Sequence, residues 1–242
     1  MYKVKKNNYF IKHMLASLCM GMIGLIIIYG WWYPTPLATA TGANKLILML
    51  ILIDIIIGPL LGFIVYKEAK KRLNFDLACI IALQLAAFSY GIWHIADGRP
   101  AWIVFNTDRF ELVRNNEVMQ EEQISPKKFI VAWDGPQYVG ILPAKKLDQK
   151  NNDLFIEVLS GVKLSQFSSR YVELNKLEKY IKKSAKKVEQ LKKYNSVDLI
   201  QATLYRYPEV KYYLPLTASN RDTSVLLDQY YKIVKIVDLK PW

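Results

Sequence analysis

Along its first hundred residues the chain alternates between long apolar runs and short basic segments, and after that between short apolar stretches and polar ones. Residues 14–32 hold 19 positions without a charge, and residues 46–66 hold 21 with only Asp54 charged. Residues 77–95 hold another 19, in which Gln84 and His94 are the strongly polar members. At roughly 1.5 Å of rise per residue, such runs make helices of about 28–32 Å, the thickness of a hydrocarbon core. Three membrane spans are expected, with residues 1–96 as a membrane domain and residues 97–242 as a soluble one.

Within the soluble part, residues 101–105, 110–113, 129–133 and 138–142 read as short strands between polar or Pro and Gly segments. Residues 153–160 read as a short helix, capped by Asn152 or Asp153 and ended by Gly161. From 171 to 194, the spacing of Leu174, Leu177, Ile181, Val188 and Leu191 predicts an amphipathic helix whose stripe is interrupted at Ser184. Residues 210–216, 224–227 and 233–239 read as three further strands, with 228–231 a connection. The fold class is three N-terminal transmembrane helices followed by an α+β domain.

Charge sets the orientation. Four lysines precede the first run, Lys67, Lys70, Lys71 and Arg72 follow the second, and only Lys45 lies between them. Basic residues stay on the cytoplasmic side, so the N-terminus is expected in the cytoplasm and residues 97–242 outside it, in the periplasm of a Gram-negative cell. The first run is longer than the roughly 7–15 apolar residues of a secretory signal, which favours a retained span over a cleaved leader. Trp31, Trp32 and Tyr33 at the end of the first run, and Trp93 and Trp102 around the end of the third, read as anchors in the headgroup layer.

The net charge of +12 arises in both parts, 9 bases against Asp54, Glu68 and Asp76 in residues 1–96, and 24 bases against 18 acids in the rest. In the soluble part, Lys176, Lys179, Lys182, Lys183, Lys186, Lys187, Lys192 and Lys193 crowd the expected helix. They read as a solvated face. Nucleic acid is not an expected partner, because no aromatic platform stands beside them.

The chemistry available outside the membrane is sparse. Residues 97–242 contain no His and no Cys, while Cys19 and Cys79 lie inside apolar runs and His13 and His94 at opposite membrane edges. That composition gives no disulfide framework, no Ser and His triad, no thiol nucleophile and no ordinary zinc site. No phosphate-binding glycine loop is present either. A non-enzymatic protein without a cofactor is expected.

Asp54 is the exception inside the membrane, where an acid near mid-depth costs about 2.5–3.5 kcal/mol. It should face protein rather than lipid. Four residues on, Pro59 lacks the donor that would reach the carbonyl of Ile55, and Gly58 and Gly62 form a small-xxx-small pair that admits a close helix. Three readings stand: a hydrogen bond from Gln84, Ser89 or Tyr90 within the molecule, a hold on a partner's membrane helix, or a small transporter or channel subunit using Asp54.

Several segments carry a resemblance. Residues 32–42 read WYPTPLATATG, 54–61 DIIIGPLL, 65–67 VYK and 75–77 FDL. Residues 98–110 read GRPAWIVFNTDRF, followed far downstream by LPL at 214–216 and the closing Pro241 and Trp242. In this order and spacing the chain resembles the type IV pilin accessory protein family (TfpX/TfpZ). The resemblance implies a pilin-specific, chaperone-like assembly factor of the inner membrane, whose partners are the major pilin, other inner-membrane pilus assembly components and the lipid bilayer. On that reading Asp54, Gly58, Pro59 and Gly62 shape a groove for the pilin helix, and Arg99, Pro100, Trp102, Asn106, Asp108 and Arg109 meet the pilin head.

Overall fold

A computed structural model describes residues 2–67, 70–119, 129–144 and 146–242. It divides into two compact units: residues 1–31 with 43–97, and residues 32–42 with 98–242. Together they make a membrane-anchored α+β protein.

The first unit contains α1 (Tyr2–Ile27), continued by a π-helical turn (Ile28–Trp32) whose last residue, Trp32, already belongs to the second unit, then α3 (Ala43–Val65) and α4 (Leu73–Asp97). A five-residue helix, α2 (Leu37–Thr41), lies between them in sequence and belongs to the second unit. All three long helices are long and apolar enough to cross a membrane. In α3 the buried positions Ile47, Ile51, Asp54, Gly58 and Gly62 fall three or four residues apart, so they form one stripe. Leu48, Leu52, Ile56 and Leu60 are exposed, as expected of side chains whose solvent is lipid.

The second unit is built on a mixed sheet. Its strands are β1 (Pro100–Asn106), β2 (Arg109–Arg114), β3 (Gln137–Ile141), β4 (Tyr171–Val172), β5 (Lys186–Lys187), β6 (Val210–Thr217), β7 (Thr223–Asp228) and β8 (Ile233–Val237). They run in the order β4-β3-β1-β2-β6-β7-β8, with β5 also paired to β6. β1 is parallel to β3 and β2 is parallel to β6, while the hairpins β1–β2, β6–β7 and β7–β8 are antiparallel.

β1 lies inside the sheet and is buried on both faces, which explains its unbroken apolar sequence. Ile103 and Phe105 join Phe110, Leu214, Leu216, Val225 and Leu227 in one cluster, while Trp102 and Val104 join Val139, Ile141 and Tyr171 in another. A third cluster gathers Val188, Leu191, Ile200, Tyr213 and Leu226. The remaining helices are α5 (Leu147–Ser160), α6 (Glu178–Ser184) and α7 (Val197–Arg206).

Four expectations change. The helix anticipated over 171–194 is broken into β4, a 3-10 turn at Leu174–Leu177, α6, β5 and a second 3-10 turn at Val188–Lys193. Ala185 is extended and the next two residues pair with β6, which ends the helix. Residues 129–133 form no strand: Phe129 and Val131 pack on the core, but among the described residues no strand pairs with them. The helix ending at Gly161 begins earlier than expected, so Asn152 and Asp153 lie inside it, Asp153 paired with Arg170 at 2.9 Å. Finally, Trp32, Tyr33 and Trp102 are buried within the second unit instead of serving as headgroup anchors, whereas Trp31 and Trp93 are exposed.

Burial gives this unit a pH signature. Tyr138 packs against the first cluster, and desolvation pushes its phenol up to about 12; burial raises Tyr171 as well. An unfolded chain releases phenolic protons near pH ~10, so this contribution to stability is complete below that value. It is lost as pH rises through the folded-state value. Thermal unfolding of the intact protein in detergent should show a midpoint that falls between about pH 10 and 12, with a shallower fall in Tyr138→Phe. Identical slopes would refute the assignment.

Candidate functional site

The membrane unit concentrates its polar side chains in one cluster. Gln84 of α4 reaches the buried stripe of α3, where its Nε2 donates to the Asp54 carbonyl oxygen at 3.1 Å and to Asp54 Oδ1 at 2.8 Å. The same Nε2 lies 2.7 Å from Ser17 Oγ on α1. Gln84 Oε1 is 2.9 Å from His13 Nε2, and His13 Nδ1 is 3.3 Å from the Tyr9 hydroxyl. One amide thus ties all three long helices together.

Gly58 makes this possible. A Cβ at that position would stand 2.0 Å from Gln84 Oε1, closer than any real contact. Gly62, one turn further, leaves room in the same way for Tyr9 and His13. Of the intramolecular partners considered for Asp54, Gln84 is the one observed, whereas Tyr90 stacks edge-on against His94. His13 belongs to this cluster, and its partner lies 71 residues away in sequence.

Between α3 and α4 runs a groove of about 250 Å³, walled by Ile53, Ile57 and Leu61 on one side and Leu83 and Ala87 on the other, with Asp54, Gly58 and Gln84 also lining it. Pro59 is buried in α3 beside it. Asp54 is 4% exposed, and its Oδ2 has no hydrogen-bond partner among the described residues.

The second unit gathers the remaining segments of interest. Thr107 takes a positive φ of 59° at the tip of the β1–β2 hairpin. Here Arg109 donates to both Asp108 oxygens, at 2.8 and 3.2 Å, and that hydrogen bond holds its guanidinium above the ordinary arginine value. Arg109 also sits 5.2 Å from the Trp242 ring, whose Nε1 donates to Asp222 Oδ2 at 3.0 Å. Asn106 donates to Glu111 at 3.3 Å. Asn106, Asp108 and Arg109 are thus accessible, while Pro100 and Trp102 are interior and have no free surface to offer. Arg99 is buried too, its guanidinium 4.9 Å from the Trp133 ring.

The segment 32–42 is part of this unit. Leu37 is 1% exposed inside the first core cluster. The carbonyl of Ala40 accepts from the amides of Asn220 and Arg221 at 3.0 and 3.1 Å, and Asn220 Nδ2 donates to the Thr39 carbonyl at 3.0 Å. Gly42 closes the segment at φ +77°, where a Cβ would be strained and would press on Asn220. Among the described residues, no group of three or more His, Cys, Asp or Glu side chains could hold a metal ion.

Comparison with known proteins bears on these segments. The chain is 27% identical over 239 residues to the fimbrial assembly protein of serogroup I from Dichelobacter nodosus, covering 94% of this chain and 92% of that one. The serogroup E1 protein of the same organism is 27% identical over 240 residues, with the same coverage. The protein of serogroups C1 and C2 is 34% identical over 112 residues, which is 46% of this chain and 86% of the relative. The chain belongs to the type IV pilin accessory family of fimbrial assembly proteins. No family model matches it, and no solved structure does. In structural terms, the family resemblance at 32–42, 98–110 and 241–242 falls on the docked segment, the β1–β2 hairpin and the tail that meets it.

Proposed function

We propose that the chain is a non-enzymatic, pilin-specific assembly factor of the inner membrane, with its N-terminus in the cytoplasm and its second unit in the periplasm. The fimbrial assembly relatives support a role in pilus biogenesis. The distribution of basic residues around the apolar runs supports the orientation. The observation that carries the mechanism is the groove between α3 and α4, an apolar furrow with a carboxylate on its lining. A pilin waiting in the bilayer offers an apolar helix to such a furrow. The face formed by Asn106, Asp108, Arg109 and Trp242 serves the pilin's globular head.

Crosslinkers placed along residues 54–62 should capture pilin in membranes, and deleting the gene should lower pilin abundance or surface pili in the same cells. Capture only of lipid, or of the chain's own helices, would sink the intramembrane part. A reporter fused after Trp242 that proved cytosolic would remove the encounter with the pilin head. Asp54→Asn separates this reading from a transport role: loss of flux with normal pilin levels would favour transport, whereas altered pilin abundance or piliation favours assembly.

A further inference from the structure

The hydrogen-bond supply around Asp54 falls short of demand. Gln84 Nε2 has two protons, and three acceptors stand within reach of it: Ser17 Oγ, the Asp54 carbonyl and Asp54 Oδ1. Gln84 Oε1 is already engaged with His13. Oδ2 is left without a partner among the described residues, in a side chain more than nine-tenths buried. A buried carboxylate oxygen with no donor is costly in any low-dielectric surrounding. Acyl chains carry no donor, so lipid filling the groove would leave that cost in place.

The shape of the groove points the same way. Ile53, Ile57 and Leu61 recur every fourth residue and make a ridge along α3; Leu83 and Ala87 do the same on α4, with small Ala87 deepening the furrow. Leu83 is 67% exposed, and the groove-side positions of α3 are nearly half exposed. A furrow running along two helices fits a third helix laid beside them.

We infer that the α3–α4 groove recognises its partner helix by a hydrogen-bond donor, a hydroxyl, amide or cationic group, carried by that helix at the depth of Asp54. The inference rests on the proposed pilin reading and adds its selectivity. The apolar ridge accepts any membrane helix, and the Asp54 carboxylate selects one with a donor at the right height. The donor fixes how far along the groove the partner sits, because sliding by one turn withdraws it from Asp54. Such polar contacts between membrane helices are individually modest yet decide register.

The test uses the full-length protein in cells that also make the pilin, with a photoreactive amino acid at Leu83. Pilin should be captured by the otherwise unaltered protein, and Asp54→Leu should reduce capture roughly tenfold, the loss that one hydrogen bond to a charged group carries. Asp54→Asn, which keeps an accepting oxygen, should retain part of it. The double variant Asp54→Leu with Gln84→Leu, which leaves no orphaned polar group between those two positions, should also lose capture; this separates recognition from folding. Replacing the polar residues of the pilin's membrane helix with Leu one at a time should reproduce the loss at a single position. Undiminished capture by Asp54→Leu would overturn the donor while leaving pilin docking intact. Capture from Leu83 of only lipid, or of a second copy of this chain, would overturn both.

Discussion

Leu37→Asp is expected to unfold the second unit, although it alters a residue lying between two membrane spans in sequence. Leu37 is buried in the main core cluster among Phe105, Phe110, Leu214 and Val225. Truncation of such a residue to Ala costs about 2–5 kcal/mol, against a total domain stability of roughly 5–15 kcal/mol. A carboxylate adds the penalty of an unpaired buried charge. Limited proteolysis of membranes should therefore lose the resistant fragment spanning residues 98–242 in Leu37→Asp and weaken it in Leu37→Ala. Leu48→Ala, on the exposed side of α3, should behave as the unaltered protein. Equal protease resistance in all three variants would mean that the segment is not part of the core.

The second large effect concerns Gln84. Gln84→Leu leaves Asp54, Ser17 and His13 without the amide that joins them. Breaking a buried polar pair from one side costs about 3–5 kcal/mol where a charge is left behind, so packing of α4 against α1 and α3 should loosen. The natural measurement is resistance to SDS-induced unfolding. Removing both partners with apolar groups is often nearly neutral, so Gln84→Leu combined with Asp54→Leu should recover much of the lost resistance. A double variant as weak as the sum of its singles would show that Asp54 and Gln84 act independently.

How much of this was legible from the residues depends on where each residue's partner lies. The three spans and most strands announced themselves by local pattern, and Gly161 marks the helix end that its sequence position suggests, in the left-handed conformation. The stripe over 171–194 misled because spacing by threes and fours survives a break. Leu174, Leu177 and Ile181 serve the first core cluster, but Val188 and Leu191 serve the third. The interruption at Ser184 was the one local sign, and its hydroxyl donates to the carbonyl of Thr107, 77 residues away. Residues 129–133, FIVAW, have the apolar run of a strand yet lack a strand to pair with among the described residues, and an apolar run alone cannot supply one.

At the candidate site, Asp54 stood out because a charge is rare in an apolar helix, and Gly58 because it pairs with Gly62 at a four-residue spacing that admits a close helix. Tyr9, His13 and Ser17 did not, since an ordinary polar residue near a span's end carries no signal until the opposite helix is in place. Trp32, Tyr33 and Trp102 have the composition of interfacial anchors, and only the three-dimensional packing reveals them as interior. The docked segment 32–42 was visible as a run of unusual residues but not as part of a core whose other members begin about 60 positions later.

That docking also dictates a timetable for the newborn chain. Asn220 grips the carbonyl of Thr39 from 181 residues downstream. At translation speeds of about 5–20 residues per second, the early segment must wait roughly 10–40 s before its receptor turn is even synthesised. Throughout that interval the cluster that buries Leu37 lacks Val225 and Leu227, so the period of greatest risk for misfolding or cleavage lies before the last strands are made.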